Sequence, residues 1–328
     1  MKRREFLGLI GSAAAWPVVT QAQTGKVYRV AFLVAPSFAP GSAAASFADG
    51  VTRRLEQSSV ISGANIEFVR RAAEGQLERL PALVAELVAM KVNVIVTGGY
   101  PAAAAAKAGT STIPVVINNA GDPVKTGLVP SLNRPGGNIT GISDVAADLA
   151  PKRLEILKEM ATSMKRVAML WNANDRGMTT RYEASAAAAQ TLGVTVESLR
   201  VREAKDFDEA FAAMDRAKPD GLYMVADMLT SANRKRVYDY AAAHGLPAIY
   251  EGEGFARDGG LMSYAPDPSE TTERAAQLVE RILRGVSPAD LPVEQPTRFR
   301  LVINLKTAKA LGITIPPALL ARADEVIE

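Results

Sequence analysis

The strongest constraint on the fold is an order of sequence elements that occurs twice along the chain. The first half opens with the apolar run "KVYRVAFLV" and the second with "MKRVAMLW", and a polar loop and an amphipathic helix follow each run. A strand, a helix, a strand, another polar loop, a helix and a last strand complete each half. This alternation is typical of parallel sheets covered by helices. The sequence therefore predicts an α/β protein of two doubly wound lobes, each with a central parallel sheet.

Two glycine-rich segments lie where the chain would cross between the lobes. In "SLNRPGGNITGIS" the run from Pro135 to Gly137 breaks the pattern before a short strand at 138–142. In "DGGLMSYAPDPS" a second strand is bounded by Gly259-Gly260 and Pro266. Strands that join two sheets through glycines form a natural hinge. We therefore expect the two lobes to be hinged at these crossings.

Polar loops at the strand ends are the expected position of a ligand. In open α/β sheets, ligands bind outside the carboxyl ends of the strands, and six such loops meet if both sheets face a common cleft. One loop, "TGGYP", places glycines before a helix opened by Tyr100-Pro101, whose free N–H groups suit an anion. The candidate ligand-binding residues on these loops and on the second crossover strand are Ser37, Phe38, Gly98, Gly99, Tyr100, Asn119, Asp122, Trp171, Asn172, Asp175, Asp227, Glu251 and Tyr264.

These residue types suit a zwitterion such as an amino acid. Helix N-termini near Ser37 and Gly99 would hold its carboxylate, and Asp122 or Asp227 would hold its ammonium group. The aromatic walls of such a site would come from Tyr100, Trp171 or Tyr264. Structural roles stay open as the alternative, because Asp122 and Asp227 also suit a turn or a helix N-cap and Trp171 also suits the core.

The sequence argues against most catalytic and metal chemistry. The chain has no cysteine and a single histidine, His244, which precedes Gly245 at a predicted helix C-terminus and suits a cap there. A cysteine nucleophile, a Ser-His-Asp triad and a histidine metal cluster are thereby disfavoured. The glycines form no nucleotide-binding motif. We expect a binding protein rather than an enzyme, with no catalytic residues, no metal and no cofactor.

The first residues predict export. "MKRREFLGLIGSAAAWPVVTQAQ" joins a basic start, an apolar stretch and a small-residue end, so residues 1–22 are typical of a cleaved signal peptide. Residues Arg3 to Leu7 resemble a twin-arginine motif. An uncleaved membrane anchor is the alternative, which the short, glycine-interrupted apolar stretch disfavours. Because the leader carries a charge of +2 out of +3, the mature chain is near neutral. We expect a periplasmic protein that does not bind nucleic acid.

Three segments carry a resemblance to a known family: "TGGYPAAAAAKAGTSTIPVVINNAGDPVKTGLVPSLNRPGGNITGIS", "LPAIYEGEGFARDGGLMSYAPD" and the tail "LPVEQPTRFRLVINLKTAKALGITIPPALLARADEVIE". Over nearly its whole length the chain resembles the periplasmic substrate-binding components of ABC transporters, of which some bind tryptophan or tyrosine. The resemblance implies a type I periplasmic binding protein, with Rossmann-like lobes, a three-stranded hinge and ligand-induced closure. It also implies a membrane permease and an ATPase as partners.

With these crossings we expect an N-terminal lobe of residues 27–140 plus 265–287 and a C-terminal lobe of residues 141–264 plus 288–328. The expected function is that of a periplasmic solute-binding protein of an ABC importer. Its ligand would be a small polar molecule held in the cleft between the lobes. An amino acid is the expected ligand, with aromatic and branched-chain amino acids as the candidates. Two alternatives stay open: a periplasmic carboxylate-dependent hydrolase on the same fold, and a ligand-sensing module for a membrane signalling partner.

Overall fold

The computed structural model describes residues 27–58 and 65–328, which form two α/β lobes. The predicted signal peptide at residues 1–22 lies outside the described residues. The strands of the first lobe are β1 (Val27–Val34), β2 (Asn65–Ala72), β3 (Val94–Gly98), β4 (Val115–Asn118) and β5 (Ile139–Ile142), and its first helices are α1 (Ala43–Gln57), α2 (Leu80–Ala89) and α3 (Tyr100–Gly109). The five strands form a parallel sheet in the order β2-β1-β3-β4-β5.

Strand β1 shows why part of this sheet carries a continuous apolar run. Val30 and Phe32 belong to the same core as residues of α1, whereas Ala31 and Leu33 belong to the core formed with α2. Successive side chains of a strand point to opposite faces. Residues 30–34 of this strand are covered by helices on both faces and are therefore apolar at every position.

The second lobe follows in the chain. Its elements are α4 (Ala146–Glu159), β6 (Arg166–Asn172), α5 (Arg176–Leu192), β7 (Thr195–Val201), α6 (Asp206–Ala217), β8 (Gly221–Met224), α7 (Met228–Ala232), α8 (Arg234–Ala243), β9 (Ala248–Tyr250), α9 (Glu253–Arg257) and β10 (Met262–Pro266). The chain then returns to the first lobe as α10 (Pro268–Leu283), which packs on α1. The last elements are β11 (Phe299–Asn304), α11 (Leu305–Ala310), α12 (Pro317–Leu320) and β12 (Glu325–Ile327).

The sheet of the second lobe has seven strands in the order β12-β11-β10-β9-β8-β6-β7. All neighbouring pairs are parallel except β10 and β11, which run antiparallel. The structure therefore confirms two α/β lobes with mainly parallel sheets.

Local signals in the sequence set several element boundaries. Helix α3 begins at Tyr100 with Gly99 as its N-cap at a φ of +85°, as the glycine turn predicts. His244 is the C-cap of α8, and Gly245 follows with a φ of +56°. The polar loop predicted after the third strand of the second half, residues 226–231, differs from expectation, because it contains most of the short helix α7. Asp227 and Thr230 form a capping box that starts this helix.

The chain crosses between the lobes three times, from β5 to α4, from β10 to α10 and from α10 to β11, which confirms the predicted three-stranded hinge. Hydrogen bonds connect the crossings to one another. Ser143 N donates to Glu294 O at 2.9 Å, and Asp267 N donates to Arg298 O at 2.9 Å. The third crossing is thus bonded to both of the others.

None of the helices in the described part of the chain is long and apolar enough to cross a membrane. No group of three or more histidine, aspartate or glutamate side chains in residues 27–58 and 65–328 is placed to hold a metal ion.

Candidate functional site

The lobes touch where the carboxyl ends of their strands meet. Gly121 follows β4 in the first lobe, and a Cβ atom placed on it would lie 3.4 Å from the Cα of Gly177 in the first turn of α5. A Cβ atom on Gly177 would lie 3.9 Å from the Cβ of Tyr100 at the start of α3. The loops after β3 and β4 therefore contact the N-terminus of α5. We call this region the cleft.

A network of buried charges lies beside the cleft in the second lobe. Glu251, which follows β9, accepts from Arg153 Nη1 at 2.8 Å, from Arg181 Nη1 at 2.5 Å and from Tyr223 Oη at 2.5 Å. Arg181 Nη2 pairs with Asp144 at 2.6 Å. The side chains of both arginines are at most 3% exposed. We call these five residues the arginine–carboxylate network.

Electrostatics keep Glu251, Arg153 and Arg181 ionised. Burial alone would raise the pKa of Glu251, but Arg153 and Arg181 outweigh burial, and the pKa is lowered. Burial would likewise lower the pKa of Arg181, but Glu251 and Asp144 raise it. Each buried charge thus has a partner of opposite sign, which is the condition under which buried charges are tolerated. The network has a structural role, because its charges are satisfied within the protein.

Asp175 differs from these acids. It is the N-cap of α5, where its Oδ1 accepts from Gly177 N at 2.7 Å, and it is 7% exposed. No lysine, arginine or histidine among the described residues forms an ion pair with its carboxylate. Burial raises the pKa of Asp175, Arg181 counteracts this in part, and the charge of Asp227 adds to it.

The two acids predicted to hold an ammonium group both have local donors. Asp227 caps α7 by accepting from Thr230 N at 2.8 Å, and its Oδ2 accepts from Asn172 Nδ2 at 2.5 Å. Asp122 Oδ1 accepts from two backbone N–H groups of the turn that follows it, and its Oδ2 lies 3.5 Å from Lys125 Nζ. Both residues therefore have the turn or cap role that was the alternative interpretation. Asp227 and Asn172 also lie side by side at the strand ends.

The first polar loop differs from expectation in one respect. Ser37 does not lie at a helix N-terminus, because α1 begins at Ala43 with Ser42 as its N-cap. The guanidinium of Arg70 lies over the ring of Phe38, with its Cζ atom 5.6 Å from the ring centre. The remaining predicted residues of the first lobe, Gly98, Gly99, Tyr100 and Asn119, end β3, start α3 or follow β4.

Two residues predicted to contact the ligand are held by other side chains of the second lobe. Trp171 is 5% exposed, donates from Nε1 to Ser198 Oγ at 3.0 Å and stacks on Tyr182 with ring centres 5.1 Å apart. It belongs to the core of the second lobe. Glu251 is held within the arginine–carboxylate network. Tyr264 is half-buried on the crossover strand β10 beside the ring of Phe299.

Sequence reasoning did not find Arg153, Arg181, Asp144 or Tyr223. One signal for Arg153 was available, because it lies on the face of α4 that also holds Ala150, Leu154 and Leu157, all of them buried. A charged residue on an apolar helix face indicates a buried partner. The partner, Glu251, lies 98 positions away in the chain, and the helix pattern does not identify it.

Comparisons with known proteins agree with this architecture. The family described as ABC transporter substrate binding protein matches residues 36–327. A tyrosine-binding protein from Clostridioides difficile (strain R20291) is 27% identical over 264 residues, which cover 80% of this chain and 76% of that protein. The solved structure of an ABC domain from Streptococcus pneumoniae in complex with L-Trp is 26% identical with a TM-score of 0.83, and the match covers 92% of this chain and 100% of that chain. A conserved domain protein from Vibrio cholerae has the same identity and coverage, with a TM-score of 0.84.

Further solved solute-binding proteins, at lower identity, share the type I periplasmic binding fold. The family and these neighbours are binding proteins rather than enzymes. This chain likewise has two lobes joined by three crossings. The chain belongs to the family of ABC transporter substrate-binding proteins.

Proposed function

We propose that this chain is the periplasmic receptor of an ABC importer for an amino acid, in the first place an aromatic one. The observation that carries the proposal is the contact of Gly121 and Tyr100 in the first lobe with Gly177 in the second, across a three-stranded hinge. A ligand that binds both lobes stabilises their contact by its differential affinity for the closed arrangement. The membrane permease would then recognise the closed form.

The ligand class follows from the chemistry of the cleft together with the names of the relatives. The second lobe offers two carboxylates and an amide, and the first lobe offers an aromatic ring and the N-terminus of α3. These groups suit an ammonium, an aromatic side chain and a carboxylate. The proposed ligand contacts are Gly98, Gly99, Tyr100, Asn119, Asn172, Asp175 and Asp227. Relatives that bind tyrosine or L-Trp support this choice.

Export by the N-terminal signal and a partnership with a permease and an ATPase complete the proposal. Substrate-binding proteins of this family deliver a small molecule to membrane components, and that role needs no catalytic step. A hydrolase would need one carboxyl group as acid and another as base or nucleophile. The carboxylates of Asp122 and Asp227 instead accept hydrogen bonds from their own turn or helix.

The test is a ligand screen on mature protein that has been unfolded and refolded to remove any ligand carried through purification. Thermal unfolding is followed against the L-amino acids, a panel of sugars and a panel of organic acids. A ligand at 100 times its dissociation constant should add about 2.7 kcal/mol of stability. We expect a shift with L-tyrosine or L-tryptophan, accompanied by a smaller radius of gyration in X-ray scattering. A shift with sugars or dicarboxylates alone, or turnover of any bound compound, would refute the proposal.

A further inference from the structure

A cavity of about 330 Å³ opens on the surface of the second lobe, between α8 and α11. Its volume lies within the range of small-molecule sites in proteins. The residues that line it are mostly apolar or aromatic, among them Tyr238, Ala242, Tyr250 and Leu311. The charged residues in this lining are Asp239 and Lys306.

The cavity extends away from the cleft. Ala248 begins β9 and Leu261 directly precedes β10, and both residues line the cavity. Strand β11 runs antiparallel to β10, with Ile303 opposite Met262, so Lys306 follows β11 near the start of β10. The cavity therefore reaches towards the amino ends of the parallel strands, whereas the cleft is formed by loops that follow their carboxyl ends. The two are separate sites.

Contacts within the protein hold the cavity walls in place. Tyr238 Oη donates to Phe255 O at 3.1 Å, and Thr307 Oγ1 donates to Gly259 O at 3.1 Å. At the C-terminal ends of α8 and α11, a Cβ atom on Gly245 would lie 3.4 Å from the carbonyl oxygen of the α11 C-cap. Because these contacts fix both helices, the cavity is formed without a ligand, as small-molecule sites usually are.

Two polar groups in the lining have no partner within the described part of the chain. Tyr250 is 1% exposed, and its hydroxyl forms no hydrogen bond with a described residue. Burial raises the pKa of Tyr250, so its hydroxyl stays protonated and can donate. Lys306 forms no ion pair among these residues, whereas Asp239 pairs with Lys235 at 2.7 Å. Buried polar groups without partners are rare in folded proteins, so these two indicate a partner from outside the chain.

We propose that this cavity binds a small amphipathic carboxylate. The apolar part of the molecule would cover Tyr238, Ala242 and Leu311. Its carboxylate would accept from Lys306 Nζ and Tyr250 Oη. Charge complementarity selects an anion, because the lysine of the lining is unpaired and its aspartate is already neutralised. The proposal goes beyond the proposed function, since it gives the second lobe a ligand site that does not depend on what the cleft binds.

The test is titration calorimetry of the mature protein with octanoate, and with 1-octylamine as a cation of the same chain length. We expect octanoate to bind with a dissociation constant of about 1 mM or below, and octylamine to bind at least about tenfold more weakly. Lys306→Gln should weaken octanoate by about two- to fivefold, as removal of an exposed ion pair does. Lys309→Gln is the matched control, because Lys309 lies on the same helix but outside the cavity lining.

Three further variants locate the binding. Ala242→Leu brings a larger side chain into the cavity and should weaken octanoate by more than about tenfold. Ala243→Leu is its control, because Ala243 is the next exposed position of α8 and does not line the cavity. Tyr250→Phe removes only the unpaired hydroxyl and should weaken octanoate by about two- to tenfold. Thermal unfolding of each variant establishes that it is folded.

Three outcomes would overturn the proposal. A wild type that does not bind octanoate shows that the cavity accepts no such carboxylate. Equal affinities for octanoate and octylamine show an apolar surface that does not select an anion. Equal affinities of Ala242→Leu and Ala243→Leu for octanoate place the binding outside the cavity. None of these outcomes affects the proposed function, because the ligand screen tests the cleft and these variants lie away from it.

Discussion

The third crossing, from α10 to β11, is held to the first lobe by the buried carboxylate of Glu270. Removal of this carboxylate should change how the stability of the protein depends on pH. Glu270 on α10 accepts from Thr297 Oγ1 at 2.7 Å and Arg298 N at 2.8 Å, and it pairs with Arg274 at 2.7 Å. Burial alone would raise the pKa of Glu270, but these donors and Arg274 lower it from 4.5 to about 2. The side chain is 7% exposed, so solvent screens these interactions little.

The magnitude follows from linkage between protonation and folding. The folded-state pKa lies below the unfolded-state pKa, so the stabilisation is complete above pH 4.5 and is lost as pH falls towards 2. The difference between the two values corresponds to about 3 kcal/mol, of which about 2 kcal/mol should be gone at pH 3. Glu270→Gln removes the titrating group. The stability gap between wild type and variant should therefore narrow by about 2 kcal/mol between pH 7 and pH 3.

The assay is urea unfolding of both proteins across this pH range, followed by circular dichroism. Glu273→Gln is the control, because Glu273 lies on the same helix, is 45% exposed and pairs only with the exposed Arg54. The control should track the wild type at every pH. A constant gap between wild type and Glu270→Gln from pH 7 to pH 3 would refute the reasoning, since it would show that Glu270 contributes no pH-dependent stability.

Two further predictions concern the second lobe. Glu251→Gln should cost about 3 to 5 kcal/mol of unfolding free energy, because it removes the carboxylate that pairs with buried Arg153 and leaves buried Arg181 with Asp144 alone. The same change at Glu67, which forms an exposed pair with Arg29, should cost less than about 1 kcal/mol, and equal losses in urea unfolding would contradict the structural role of the network. Gly177→Leu should weaken ligand binding by about 5- to 150-fold, because its side chain would enter the contact between the lobes. Gly254→Leu is the control, because Gly254 lies in α9 with open space around it, and this variant should leave ligand affinity unchanged. X-ray scattering in the presence of ligand should show separated lobes for Gly177→Leu and not for Gly254→Leu.

Much of the fold was readable because its signals are local. Continuous apolar runs predicted strands buried on both faces, and residues such as Gly99 and His244 marked helix ends that the structure contains. Helix α7 was not predicted, because its five residues give no apolar period and only the capping pair Asp227 and Thr230 signals it. The place of β11 between β10 and β12 was not readable from local signals either. Its partner β10 is separated from it by the whole of α10.

The candidate site could be predicted from the sequence only as far as the order of strands and helices determines its position. The rule that ligands bind at strand ends brought Asn172, Asp175 and Asp227 into one candidate set, and the structure places them near one another. It could not separate Asp175 from Glu251, since both are acids that follow parallel strands. The two acids differ because Glu251 forms ion pairs with Arg153 and Arg181, whereas Asp175 forms none within the described residues. Both arginines lie on helices whose packing cannot be predicted from the sequence.

Side-chain bonds hold the first crossing to the second lobe and the third crossing to the first lobe. These bonds restrict where the chain can bend between the lobes. Directly after β5, Asp144 is bonded to Arg181 and therefore moves with the second lobe. Directly before β11, Thr297 and Arg298 are bonded to Glu270 on α10 and therefore move with the first lobe. Between the end of β5 and Asp144 the first crossing thus has only Ser143, and in the third crossing Arg298 directly precedes Phe299 of β11. Such short links would allow rotation of the lobes but little sliding, so a rotation that closed the cleft would restore the contact between the loops around Gly121 and Gly177.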